Sequence, residues 1–335
     1  MKAEEMNTRH AFGATPGGET VEIVTLQRAG VTARVMTWGA SLQDFRLEGV
    51  PHSLVLGAPD FAPYLAEMRY FGAIVGPVAN RIAKGRAPLE GQEIALERNE
   101  NGVTTLHGGT EGCGTQNWRI LAHGETSCTL ILTVLDGTGG LPGPVTLKAR
   151  YALEEDGALS LDIEAQAEQA TFCNPAHHSY WTLDGSPNLH HHQLQVAADR
   201  YLPVDAEQIP TGAAAAVAET NFDFREAAPV LRGETGLDHN FCLSDAPTAL
   251  RDVCTLETEA LRLTVATTEP GLQVYDGAGL STGLGHHPHP YGANAGLAIE
   301  PQRWPDAPNQ NGFPSILLQP GETYCQSSRF KVTRK

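Results

Sequence analysis

Three apolar runs in the middle of the chain alternate with a period of two, and this leaves little choice of fold. They are 128–135 (CTLILTVL), Val145–Leu153 (VTLKARYAL) and Leu159–Ala167 (LSLDIEAQA). In the last, Leu159, Leu161, Ile163 and Ala165 alternate with Ser160, Asp162 and Glu164. On a strand that spacing puts one face in a core and the other in water. Glu154-Glu155-Asp156-Gly157 separates the second run from the third, and Asp-Gly is a strong hairpin signal. Similar runs at 20–26, 31–37, Ser41–Leu47, 261–266 and 272–275 are set off by turn residues, with Gly (35 copies) and Pro (22) frequent throughout. Helical periodicity is almost absent. Residues 60–68 read as a short helix or coil, and the Ala-rich 213–218 is too short to assign. No stretch resembles a linker, a repeat or a low-complexity segment. The expectation is an all-β fold, one large antiparallel β-sandwich, with residues 1–335 as a single domain.

The formal charge is -16, with the acidic excess spread along the chain. This argues against nucleic acid, an anionic membrane or a strongly phosphorylated ligand as partner. The start, MKAEEMNTRH, has no apolar segment of the kind a signal peptide needs, and no run approaches the ~18 apolar residues of a membrane span. A cytoplasmic protein is expected. None of the six cysteines stands at C-x-x-C spacing, so they read as buried thiols. Two histidine clusters, His190-His191-His192 and His286-His287-Pro288-His289, lack helical spacing and companion cysteines. They read as solvated loops rather than as metal ligands.

No G-x-G-x-x-G opens a helix after a strand, and neither a P-loop nor a nucleophile elbow is present, which weighs against nucleotide and α/β-hydrolase chemistry. What remains is a set of polar clusters between strands. In 296–313 (GLAIEPQRWPDAPNQNGF) an apolar run delivers Glu300 just before Pro301, which removes a donor and holds its neighbour extended. Glu300 should therefore sit at a strand end, opening into a polar loop, either as a sugar-handling carboxylate or simply paired with Arg303. Asn80-Arg81 could donate a fork of hydrogen bonds to vicinal hydroxyls or tie down a loop. In Leu106-His107-Gly108-Gly109 the glycines permit close approach to His107, though an ordinary turn has the same composition. His177 and His178 face opposite ways on a strand, so only one can enter a pocket unless the backbone bulges. The aromatic pair Tyr180-Trp181 beside them suits the CH face of a sugar, or a core. Asp238 could accept from sugar hydroxyls, and Glu269 before Pro270-Gly271 reads as a turn residue.

In this order and at this spacing, Asn80-Arg81-Ile82, Leu106 to Gly109, His178-Ser179-Tyr180, Asp238 to Phe241, Glu269-Pro270-Gly271, Glu300-Pro301-Gln302 and Pro305 to Asn309 resemble the aldose 1-epimerase (galactose mutarotase) family. The likeness runs from about Phe12 to Tyr324. It implies a mutarotase-like supersandwich and interconversion of the α and β anomers of a free aldose without a cofactor or metal. By the resemblance Glu300 is the general base and His178 the general acid facing the ring oxygen. Arg81, His107 and Asp238 orient the sugar, with Asn80 and Gln273 also expected to bind it. A monosaccharide is the implied partner, and the chain is expected as a monomer or homodimer. Three positions depart from the family pattern: His177 stands where Asn is common, Trp181 where Phe is common, and Gly76-Pro77-Val78 replaces a Gly-Arg-Tyr-like lead. These changes bear on the substrate more than on the reaction.

Ring opening needs a proton taken from the anomeric hydroxyl and one given to the ring oxygen. At ordinary values of ~4.3 and ~6.5, Glu is ionised at neutral pH and His needs modest help to stay protonated, which nearby acids could give. Three other readings compete. They are a non-catalytic sugar-binding or sensor domain, a glycoside hydrolase using Asp238 with Glu300, and an epimerase acting on a different or phosphorylated sugar.

Overall fold

A computed structural model describes residues 8–233 and 236–335. Its largest element is a nine-stranded antiparallel sheet built around the alternating runs. Ser127–Val134, Val145–Leu153 and Leu159–Ala167 lie side by side in it, and the C-terminal strand Tyr324–Arg334 pairs with the last of them. The second and third runs match residue for residue from Val145↔Ala167 to Leu153↔Leu159. Their turn closes through Glu154 N–H donating to Ala158 C=O at 2.8 Å, with Gly157 at a φ of 77°. That left-handed backbone is one a side chain would strain. Alternation holds in space. Leu159, Leu161, Ile163 and Ala165 are buried, while Glu164 faces outward and pairs across the strands with Lys148 at 2.7 Å.

A six-stranded sheet carries the polar motifs. Its order is Tyr180–Trp181, Leu297–Gln302, Gly271–Tyr275, Asp238–Cys242, Arg200–Tyr201, Ala215–Ala216. Register decides which side chains meet. Asp238↔Tyr275↔Ala298 form one cross-strand row and Asn240↔Gln273↔Glu300 the next. Residues two apart share a face, so Asp238, Gln273, Tyr275 and Glu300 stand together. On the other face Phe241, Leu272, Val274, Leu297 and Ile299 join the main core, which draws on residues from Val24 to Val332. A four-stranded sheet, Arg9–Ala14, Thr20–Arg28, Val31–Met36 and Ser41–Leu47, packs Leu26, Ala33, Val35 and Phe45 into the same core.

Residues 60–68 hold the short 3-10 turn Ala62–Leu65, as a short helix or coil was expected there, and the unassigned Ala-rich stretch contributes the two-residue edge strand Ala215–Ala216. The structure departs from expectation in other places. Glu300 is not at the strand end: the strand continues through Pro301, opposite Leu272, to Gln302. Pro301 is tolerated because the neighbouring 180–181 strand stops at the level of Ala298, so the strand has become an edge there. Glu269 is no surface turn residue but fully buried. The histidine clusters are solvated only in part: His190 and His191 are exposed, whereas one ring of each cluster turns inward. His192 is buried and accepts Leu183 N–H at 2.8 Å, and His287 Nε2 lies 2.9 Å from Ser53 C=O. Five of the six cysteines are buried free thiols, and Cys325 is exposed.

Candidate active site

Tyr70, Asn80, Arg81, Leu106, His107, His178, Tyr180, Asp238, Tyr275 and Glu300 line one cavity of about 220 Å³. Drug-sized ligands occupy pockets of ~300–1,000 Å³, so this one has room for a single small molecule. Larger hollows of about 730 and 540 Å³ exist but share none of these residues. What marks the smaller cavity is convergence of acid, base and aromatic groups from distant parts of the chain.

Three backbone segments deliver them. The sheet face presents Asp238, Tyr275 and Glu300, with Gln273 immediately behind, its Nε2 donating to Asp238 Oδ1 at 2.6 Å. The short pair Arg81–Ile82 and Thr105–Leu106, with Arg81 opposite Leu106, brings Arg81 beside His107. Asn80 and His107 both take left-handed backbone, φ 59° and 54°, and lock one another. His107 N–H donates to Asn80 C=O at 3.0 Å, and Asn80 N–H donates to His107 Nδ1 at 3.1 Å. Because Nδ1 accepts, a neutral His107 must carry its proton on Nε2. Burial keeps its pKa well below the usual imidazole value, which favours the neutral ring. His178 is held at a crossing of chains, its N–H donating to Ala73 C=O at 2.8 Å and its C=O accepting from Gly72 N–H at 3.0 Å.

His178 Nε2 lies 3.6 Å from Glu300 Oε1, both side chains being buried. Their electrostatics reverse the sequence expectation. Burial lowers His178 to about 4 and, together with the Asp238 charge, raises Glu300 well above the ordinary carboxylate value. For both groups removal from water is the largest cause. Asp238 is likewise raised by burial, with Arg81 and Gln273 pulling it back.

Aromatic rings complete the walls. Tyr70 packs edge-on to His107 at 4.8 Å between centroids, and His178 lies 5.1 Å from Tyr180 and 5.3 Å from His107. Tyr70 and Tyr275 were not singled out from the sequence. The Tyr70-Phe71 pair before Gly72 was the available signal. Glu100, whose carboxylate grips Arg81 through two 2.8 Å hydrogen bonds, had none: it lies in an ordinary polar turn. The alternative pairing of Glu300 with Arg303 does not occur. Arg303 turns to Glu269, at 4.0 Å, and its guanidinium lies over Tyr324. Arg303 and Arg251 pull Glu269 down, but burial dominates and leaves it raised to about 7.

Two of the departing residues face the core rather than the cavity. Trp181 stacks on Phe330 with rings 5.5 Å apart, and His177 bonds Ser179 Oγ at 3.0 Å between Tyr151 and Phe330. They are packing changes on the far side of the strand from His178. Burial lowers His177 to about 3, against an ordinary value of 6.5. A depressed histidine contributes stability that is complete above the unfolded value and is lost as pH falls below it, by ~1.4 kcal/mol per pH unit. His177→Asn, which loses the ring's packing on Tyr151 and Phe330, should be less stable than wild type by about 1–3 kcal/mol at neutral pH, where the ring is neutral in both states. The gap should narrow steadily toward about pH 5 in urea titrations, while kcat stays within a few-fold. A gap independent of pH would contradict the buried neutral ring.

Residues 22–331 match the family model described as Aldose 1-epimerase. Human galactose mutarotase is 38% identical over 345 residues, covering 97% of this chain and 98% of its own. Aldose 1-epimerase of Escherichia coli (strain K12) is 33% identical, covering 94% and 96%. Among solved structures, galactose 1-epimerase from Lactobacillus acidophilus NCFM superposes with a TM-score of 0.85 at 27% identity, covering 97% of this chain and 98% of that one. The GalM/aldose epimerase homologue from C. elegans gives 0.84 at 28%, covering 93% and 99%. Extending from one end of the β-sandwich to the other, these likenesses place the chain in the aldose 1-epimerase family.

Proposed function

We propose that this protein is an aldose 1-epimerase that interconverts the α and β anomers of a free aldose, a hexose such as galactose or glucose. Glu300 and His178 act as the acid–base pair, Arg81, His107, Asp238 and Asn80 bind and orient the sugar, and Gln273 acts from behind by holding Asp238. The observation that carries the reading is the 3.6 Å approach of His178 Nε2 to Glu300 Oε1 in a cavity sized for one small molecule.

The chemistry follows from one proton shared between two groups. One member takes the proton of the anomeric hydroxyl as the other protonates the ring oxygen. The ring opens, the C1–C2 bond rotates, and closure on the other face reverses the transfers. An ionised pair and a neutral pair hold the same number of protons, and coupled groups titrate as a unit. Burial favours the neutral arrangement. The active form is therefore lost to acid when the pair takes a second proton, with His178 at about 4. It is lost to base when Glu300, already raised, gives up the only one. A plateau of kcat/KM across neutral pH is the expected profile, and an acid limb at the ordinary imidazole value would contradict it.

Rings at Tyr70, Tyr180 and Tyr275 offer stacking faces, while Arg81, His107 and Asp238 supply donors and an acceptor for hydroxyls. Among the described residues Arg81 is the one Lys or Arg lining the cavity, and it lies between Glu100 and Asp238. This favours an uncharged sugar over a phosphorylated one. The hydrolase reading is disfavoured because Asp238 is engaged by Gln273 and Arg81.

We take residues 1–335 as one domain, which is supported by the core spanning Val24 to Val332. No helix among the described residues is long and apolar enough to cross a membrane. A cytoplasmic monomer or homodimer remains our reading. Polarimetry of fresh α-D-galactose, α-D-glucose, xylose and arabinose tests the function. Acceleration over the buffer rate supports it. Inactivity on every sugar, or release of nitrophenol from a nitrophenyl galactoside, overturns it.

A further inference from the structure

Arg81 arrives at the sugar cavity with one edge already occupied. Its Nε and Nη2 donate to the two oxygens of Glu100, each at 2.8 Å. The remaining nitrogen, Nη1, lies 3.5 Å from Asp238 Oδ2. Glu100 is itself held in place. Thr104 Oγ1 donates to its Oε2 at 2.6 Å, and the two residues form a backbone bridge. Burial pushes the Glu100 carboxyl up, but Arg81 and Thr104 more than offset this and leave it below its ordinary value. Glu100 does not line the cavity, and it is absent from the roles assigned above.

We propose that Glu100 is a specificity-determining positioning residue: bonded to the far edge of Arg81, its carboxylate cancels the guanidinium charge and tunes the site to uncharged aldoses against uronates and other anionic sugars. The inference rests on the mutarotase reading. A hydroxyl needs a directed donor, not a net charge, so a balanced Arg81 still serves a neutral sugar. An anionic sugar responds instead to the sum of the charges, and Glu100 and Asp238 together outweigh one guanidinium. An arginine with a free fork is the usual recogniser of carboxylate and phosphate. Glu100 closes that fork from behind while fixing the plane in which Nη1 faces the cavity. It acts through Arg81 and touches no reacting atom.

The test compares three hexoses of one configuration and different charge: D-galactose, D-galacturonate, and D-galactosamine at a pH where its amine is protonated. Glu100→Gln keeps the side-chain length and one oxygen for Arg81 but removes the charge. The galacturonate-to-galactose ratio of kcat/KM should rise roughly tenfold, and the galactosamine-to-galactose ratio should fall by a similar factor, as one unit charge about 10 Å away does at an effective dielectric near 20. Glu100→Asp, which keeps the charge, should retain the wild-type ordering. A loss shared equally by all three sugars would overturn the proposal, since Glu100 would then only prop up Arg81. So would an aspartate variant that shifts as the glutamine one does. Wild type gives a reading that depends on no variant folding: turnover of galacturonate as efficient as that of galactose also overturns it. Wild-type inactivity on galactose and on every other aldose of the polarimetry panel would instead refute the mutarotase reading. That result is distinct from an active enzyme whose ratios do not move.

Discussion

Glu300→Gln is expected to lower kcat for galactose mutarotation by about 10²–10⁴-fold with the fold intact. The amide preserves the shape of the carboxyl among its buried neighbours but can neither take the anomeric proton nor return it. Stability should hold or rise slightly. Burial already disfavours the Glu300 anion, so a neutral isostere removes a cost rather than a contact. KM should change little, because the hydroxyl contacts proposed for Arg81, His107 and Asp238 are untouched. Polarimetry above the buffer rate reads kcat, and thermal unfolding reads the fold. A variant that mutarotates galactose at the wild-type rate would end the assignment of Glu300.

His178→Asn should cost about as much, again ~10²–10⁴-fold. It removes the partner proposed to complete the proton exchange at the ring oxygen. The two losses should not add. Groups that act as a unit lose most of their effect when either is removed, so Glu300→Gln/His178→Asn should be barely slower than the worse single variant. Additive losses in the double variant would show that the two side chains serve separate steps. Stability is again the control. Burial depresses His178, so the wild type should weaken toward acid as the unfolded chain takes up protons, and the variant should weaken less.

The sheet strands were legible because their signal is local. Leu159 to Ala165 alternate in the sequence and alternate in burial, and Asp156-Gly157 turns where the composition says it should. The Ala-rich edge strand was not, since two residues are too few to show a period. Gly and Pro mark where a chain turns without saying what it turns toward.

Residue chemistry and motif order in the sequence already named Glu300, His178, Arg81, His107 and Asp238, and the resemblance supplied their expected roles. What the sequence by itself determined was the inventory of groups and the two-residue period that sets which face of a strand each one joins. Only the tertiary structure decided their distances, their protonation and their neighbours. Glu300 carries no mark in the sequence that it lies 3.6 Å from His178 rather than beside Arg303. Nor does the sequence reveal that burial drives the His178 imidazole toward its neutral form. Glu100 shows the limit most plainly: it stands 19 residues from Arg81 in an unremarkable turn, and only strand pairing brings it to the guanidinium. The physical reason is common to all three. Alternation is a property of consecutive residues, whereas dielectric and charge pairing depend on which distant segments close over a group and exclude water from it.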